Sequence, residues 1–166
     1  MTTRRPGTVK ALLLCIAFLA SAGTALTAQD LTVKRVDGSK RRLTGTELAS
    51  LPRTAVEVSD HGVSTRFEGV ELRAVLRLAD AGPTDSLRGP MLRRVVVLLA
   101  ADGYAATIAL ADLDPSIGAR LVYLVDRSNG VPLAPDQGPW RAVVVGDVRA
   151  TRWVRQLQRL ELVDLH

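Results

Sequence analysis

The chain has 166 residues, of which 47% are hydrophobic, so it is long enough and apolar enough to fold as one domain around its own core. Its net charge of +5 includes Arg4, Arg5 and Lys10 near the start, whereas the later cations are interspersed with acids. Because the chain has neither a basic block nor a ladder of aromatic residues, we expect no nucleic-acid binding.

Residues 1–28 have the three regions of a secretory signal peptide: a basic start, the apolar segment 11–20, and the small residues of 21–28. The apolar segment is shorter than the roughly 20 residues that span a bilayer. We therefore expect cleavage, no stable membrane insertion afterwards, and a periplasmic or secreted domain over residues 29–166. A retained membrane anchor is the alternative.

Cysteine and histidine are scarce, which limits the chemistry of the mature domain. Cys15 lies in the predicted leader and is the chain's only cysteine, so we expect no disulfide, no thiol nucleophile and no cysteine-ligated zinc. The two histidines, His61 and His166, are too few for a zinc site without cysteine. No metal ligand is predicted.

The first predicted element is a β-hairpin. Residues 31–36 alternate between apolar and polar, an Asp-Gly turn signal follows at 37–38, and 40–43 form the returning strand. A short helix is predicted over 44–51, since Pro52 cannot continue it.

A second hairpin and the main helix follow. Strands are predicted over 54–58 and 63–67, joined by a turn at 60–62. Residues 71–81 carry apolar side chains at the i, i+3, i+4, i+7 spacing of a helix that packs on a core, and Gly82-Pro83 is a stop signal.

The remaining elements are strands. The continuous apolar run 95–99 predicts a strand buried on both faces, and an Asp-Gly turn leads into 104–110. Further strands are predicted over 121–125, 140–145 and 157–165. The whole pattern predicts an α+β fold: a single compact mixed β-sheet domain with one main helix and several short helices.

Five short motifs follow one another between the second hairpin and the last strand: FEGVELRAVL at 67–76, DGY at 102–104, VPL at 131–133, GPWR at 138–141 and RWV at 152–154. In this order they resemble the sulfite-oxidase-like oxidoreductase molybdopterin-binding domain. The resemblance implies the mixed α+β fold of that family, which in complete members holds a molybdenum–pterin cofactor.

The resemblance also implies a cysteine thiolate on the metal, between the strand at 56–58 and the segment 67–69. In this chain the intervening residues, 59–66, read SDHGVSTR and contain no cysteine. Gln137 stands where the family has a histidine. Because thiolate is the soft ligand that the family's metal needs, we expect no cysteine-ligated molybdenum and no resident cofactor, with molybdopterin implied by resemblance alone.

Four residues are candidates for binding a ligand or cofactor. Arg141 and Arg152 match positions near the phosphate end of the pterin, and guanidinium groups bind phosphate or carboxylate through two parallel hydrogen bonds. Arg66 lies beside the region without cysteine and is a further anion-binding candidate. His61 is an imidazole in the same region, with an exposed turn histidine as the alternative interpretation. No catalytic residue is predicted.

Three functions remain open. The first is an exported binding or accessory protein for a small anionic ligand. The second is a periplasmic molybdopterin-dependent oxidoreductase whose metal is bound by His61, by Ser59 or by no side chain. The third is a protein-interaction module that presents a strand edge to a partner that the sequence does not identify.

Overall fold

Two β-sheets form the framework of residues 30–166, which are the residues that the computed structural model describes. The predicted signal peptide, residues 1–28, lies outside the described residues. The elements, in chain order, are β1 (Leu31–Lys34), β2 (Lys40–Leu43), α1 (Gly45–Ala49), β3 (Arg53–Asp60), β4 (Val63–Glu71), α2 (Leu72–Leu78), β5 (Arg94–Ala100), β6 (Ala105–Ala109), α3 (Leu110–Leu113), β7 (Val122–Ser128), β8 (Val131–Pro132), β9 (Arg141–Val144) and β10 (Leu157–Asp164). Single-turn 3-10 helices lie at Gly89–Arg93 and Ala150–Arg152.

The first sheet has the strand order β2-β1-β10-β5-β6. It is a mixed sheet, because β1 runs parallel to β10 while the other neighbouring strands of the sheet are antiparallel. The second sheet has the order β3-β4-β7, and both β8 and β9 pair with the far edge of β7. One hydrophobic cluster joins the inner residues of both sheets to the helices. The predicted α+β class, with one main helix and several short ones, is confirmed.

The main helix is shorter than its apolar spacing predicts. α2 ends at Leu78 because Asp80 adopts a left-handed backbone conformation with a φ of 50°. The N–H of Ala81 then donates to the carbonyl of Leu76, and that of Asp80 donates to Arg77, which is the pair of bonds of a Schellman motif. The stop therefore lies two residues before the predicted Gly82-Pro83.

The prediction that 95–99 is buried on both faces is wrong. Val96 and Leu98 are fully buried, whereas Val97 and Leu99 are half-buried on the other face of the first sheet. That burial pattern occurs instead in β7, where Val122 to Val125 are all buried because both faces of the second sheet are covered there. Within residues 30–166, no helix has the length and apolar character needed to cross a bilayer.

Candidate anion-binding site

The hairpin of β3 and β4 forms one wall of the site. Its ladder runs without a break from the pair Arg53–Val70 to the pair Asp60–Val63 and is closed by a two-residue turn. His61 and Gly62 form that turn, with φ values of 50° and 80°, the left-handed conformations that a tight hairpin requires. The stretch without cysteine is therefore a regular hairpin end.

The register of this hairpin decides which of its side chains face the core. Residues directly opposite each other share a face, and successive residues alternate between faces. Phe67 is buried, and Thr65 lies on the same face as Phe67. Arg66 lies between them and therefore points to the opposite face, where 65% of its side chain is exposed.

Arg141, the first residue of β9, lies over two aromatic rings. Its Cζ is 5.2 Å from the ring centroid of Phe67 and 5.6 Å from that of Trp153. The two rings meet edge to face, with centroids 6.2 Å apart, and the indole N–H of Trp153 donates to the carbonyl of Val144. These contacts hold the guanidinium in place by cation–π attraction and packing.

Arg141 is half-buried and has no carboxylate partner among residues 30–166. Its Nη1 donates to the side-chain oxygen of Gln137 at 2.9 Å, whereas the buried Nε has no acceptor among residues 30–166. No carboxylate oxygen of the described residues lies within 4.0 Å of the guanidinium. Burial lowers the pKa of Arg141, the nearby Arg155 lowers it further, and Asp60 partly opposes both effects.

A cavity of about 410 Å³ opens beside this guanidinium. Its lining comes from β4, from the turn between β7 and β8, and from the segment that leads to β9: Thr65, Phe67, Ser128, Asn129, Val131, Pro132, Leu133, Ala134, Gln137 and Arg141. Of these residues only Arg141 is charged, so the cavity combines one cation with a largely apolar wall.

Arg141 lines this cavity, and the other three candidates from the sequence lie elsewhere. Arg152 forms a two-bond ion pair with Asp147, whose carboxylate also contacts Arg120, and the hydrogen bond to Asp147 raises the pKa of Arg152. His61 is 80% exposed at the hairpin tip, 3.7 Å from the Asp60 carboxylate.

The sequence alone does not predict the apolar lining of the cavity or the role of Gln137 as the acceptor for Arg141. The sequence did mark both segments, since Gln137 immediately precedes the GPWR motif that contains Arg141, and Val131 to Leu133 form another motif. The motifs do not show that the two segments line one cavity with Phe67.

Comparison with known proteins agrees with this fold. Residues 25–166 match the family described as oxidoreductase molybdopterin binding domain. The chain belongs to this family. The motifs therefore indicated the correct family. A search of curated proteins finds no match.

Among solved structures, the chain is similar to the sulfane dehydrogenase SoxCD from Paracoccus pantotrophus. The sequences are 19% identical and the TM-score is 0.59, over 82% of this chain. The aligned part spans 38% of the SoxCD chain. At this identity the likeness shows a shared fold.

The donor atoms of the described residues do not fit a molybdenum held by a protein thiolate. Residues 30–166 contain no cysteine, and they contain no group of three His, Cys, Asp or Glu side chains that could hold a metal ion. Ser59 points to the same outer face as Arg66, away from Phe67. The described residues therefore offer the family's cofactor no protein thiolate.

Proposed function

We propose that this member of the molybdopterin-binding domain family is an exported binding or accessory protein that holds a small anionic ligand at Arg141 and no cysteine-ligated molybdenum. The observation that carries the proposal is the guanidinium of Arg141, which is half-buried over two aromatic rings and has no carboxylate partner in the described part of the chain.

Removing a charge from water costs free energy unless the charge is paired and hydrogen-bonded. Arg152 meets this requirement through Asp147, whereas Arg141 has one neutral acceptor, Gln137. An oxyanion in the adjacent cavity would supply the missing charge and would accept hydrogen bonds from the terminal nitrogens of Arg141. A planar guanidinium binds a carboxylate or phosphate in this two-bond geometry.

The binding test compares the wild-type chain with Arg141→Met, which keeps a flexible apolar side chain over the rings but removes the charge. Arg88→Met is the matched control, because Arg88 is exposed and lies outside the cavity. We expect acetate, sulfite, sulfate or phosphate to raise the Tm of the wild type and of Arg88→Met, and to leave that of Arg141→Met unchanged. If none of these anions binds the wild type, the proposal of a general anion site is wrong.

The same substitution separates a binding role from a structural one. An unpaired, half-buried charge contributes little to stability. We therefore expect the free energy of unfolding of Arg141→Met, measured without ligand, to lie within about 1 kcal/mol of the wild-type value, as for other substitutions that conserve volume. A much larger loss of stability would indicate that Arg141 is retained for folding.

The absence of cysteine-ligated molybdenum is tested on protein made, with its leader, in a host that synthesises the cofactor. We expect no stoichiometric molybdenum and no pterin released on denaturation. One molybdenum per chain would support the oxidoreductase alternative. Export is tested by sequencing the amino terminus of protein from the periplasm or medium, where we expect a start near residue 29.

A further inference from the structure

We propose that the ligand at Arg141 is a monoanionic organic acid with an apolar body, such as a short alkyl or aryl carboxylate, rather than an inorganic oxyanion. This inference rests on the proposed function and specifies its ligand class. It is drawn from the walls of the cavity, its charge and its position on the second sheet.

The apolar part of the cavity lining is partly open to water. We call the group of Phe67, Val131, Pro132, Leu133 and Ala134 the apolar wall. Val131 is 61% exposed, and Pro132 and Ala134 are also exposed. A ligand with an apolar body would remove this surface from water, at about 25 cal/mol for each Å² of apolar area. A sulfate or phosphate ion would gain nothing from these side chains.

The charge around the cavity matches one negative charge better than two. Among the described residues that line it, only Arg141 is cationic. Arg155 influences it electrostatically but lines a separate depression with Tyr104 and Asp102. Asp60 favours the charged form of Arg141, and its repulsion of a dianionic ligand would be about twice that of a monoanionic one.

The size of the cavity also favours an organic ligand. At about 410 Å³ it lies within the range of roughly 300–1,000 Å³ that small-molecule sites occupy. Such sites are mainly apolar, with a few polar groups that fix the orientation of the ligand. Here Arg141 and Gln137 would fix the carboxylate, and the chain or ring would lie along the apolar wall.

The experiment measures dissociation constants for acetate, butyrate, hexanoate and benzoate, and for sulfate and phosphate, at constant ionic strength. We expect the affinity to rise by up to about four-fold for each added methylene group, and hexanoate and benzoate to bind more tightly than either inorganic anion. Hexanol, which has the chain without the charge, should not bind measurably.

Two further variants locate the binding. Val131→Ser should weaken hexanoate binding several-fold while leaving acetate unchanged, because it alters only the apolar wall. Val148→Ser is the matched control, because Val148 is 93% exposed and does not line the cavity. This variant should bind acetate and hexanoate with the same affinities as the wild type. Arg141→Met should abolish the binding of every acid in the series.

Each outcome decides one point. If sulfate or phosphate binds through Arg141 and hexanoate binds no more tightly than acetate, this inference is overturned while the proposed function stands. If no anion binds, both fail. If hexanoate binds equally well to the wild type, Val131→Ser and Arg141→Met, it binds outside the cavity, which also overturns the inference.

Discussion

Asp114 shows how one side chain joins two loops of this domain. It has no exposed surface, and its carboxylate accepts hydrogen bonds from the backbone N–H of Leu87 at 2.8 Å and from the N–H and hydroxyl of Ser116 at 2.7 and 2.6 Å. These hydrogen bonds lower the pKa of Asp114 below its ordinary value of 3.8, and the bond from Leu87 has the largest effect. The ionised form is thus the one that the fold stabilises.

We predict that Asp114→Asn lowers the Tm by several degrees at pH 7. The amide places an NH₂ group, which donates, at the position of one carboxylate oxygen, which accepts, so at least one hydrogen bond is lost. The pKa of Asp114 in the folded chain is below its ordinary value of 3.8. The contribution of Asp114 to the free energy of unfolding is therefore fully present above the ordinary pKa and is lost as the pH falls through the pKa of the folded state. The difference in Tm between variant and wild type should therefore narrow below about pH 4. Thermal unfolding at several pH values measures it.

Asp85→Asn is the control for this prediction. Asp85 pairs with Arg77 on the surface, where both side chains are more than half exposed, and exposed pairs contribute about 0–1 kcal/mol. The role given to Asp114 would be contradicted if Asp85→Asn lowered the Tm as much as Asp114→Asn does. It would also be contradicted if the Tm difference between Asp114→Asn and the wild type did not narrow in acid.

At the scale of elements, β4 and β7 lie close together at Gly69. The register between these strands shifts between Glu68 and Gly69, and a Cβ added at Gly69 would lie 2.1 Å from the backbone oxygen of Leu124. Gly69 belongs to the motif that indicated the family, so part of that motif has a packing reason: the two strands pair only if this residue has no side chain.

We predict that Gly69→Ala destabilises the domain by about 3 kcal/mol or more, since rigid backbone must move to admit the methyl group. Gly103→Ala is the comparison. An added Cβ at Gly103 has no neighbour within 4 Å, and only its φ of 88° opposes the substitution, at about 1 kcal/mol. Denaturant unfolding of both variants gives the two free energies; equal losses would contradict the steric explanation.

The elements also show what a sequence can and cannot predict here. Period-two patterns and Asp-Gly turns predicted the hairpins, because those signals are local. The end of α2 was misplaced because Asp80, and not glycine, adopts the left-handed conformation. Of the four candidate residues only Arg141 lines the cavity. The face of Arg66 depends on strand register, and the ion pair of Arg152 depends on the position of Asp147 in the folded chain, neither of which local sequence determines.

At the scale of the whole molecule, the two sheets share one hydrophobic core, so we expect residues 30–166 to unfold as one cooperative unit. Leu160 is fully buried on β10, in the middle of the first sheet, whereas Trp153 packs edge to face on Phe67 of β4 and donates to Val144 of β9, both in the second sheet. We predict that Leu160→Ala lowers stability by about 2–5 kcal/mol. Tryptophan fluorescence, which includes that of Trp153, and far-UV circular dichroism should report the same reduced midpoint, although Leu160 and Trp153 lie at different sheets. Leu165→Ala, at a residue that is 51% exposed beyond β10, should leave both midpoints unchanged. If the fluorescence midpoint stays at the wild-type value while the dichroism midpoint falls, the sheets unfold separately and the single core does not couple them.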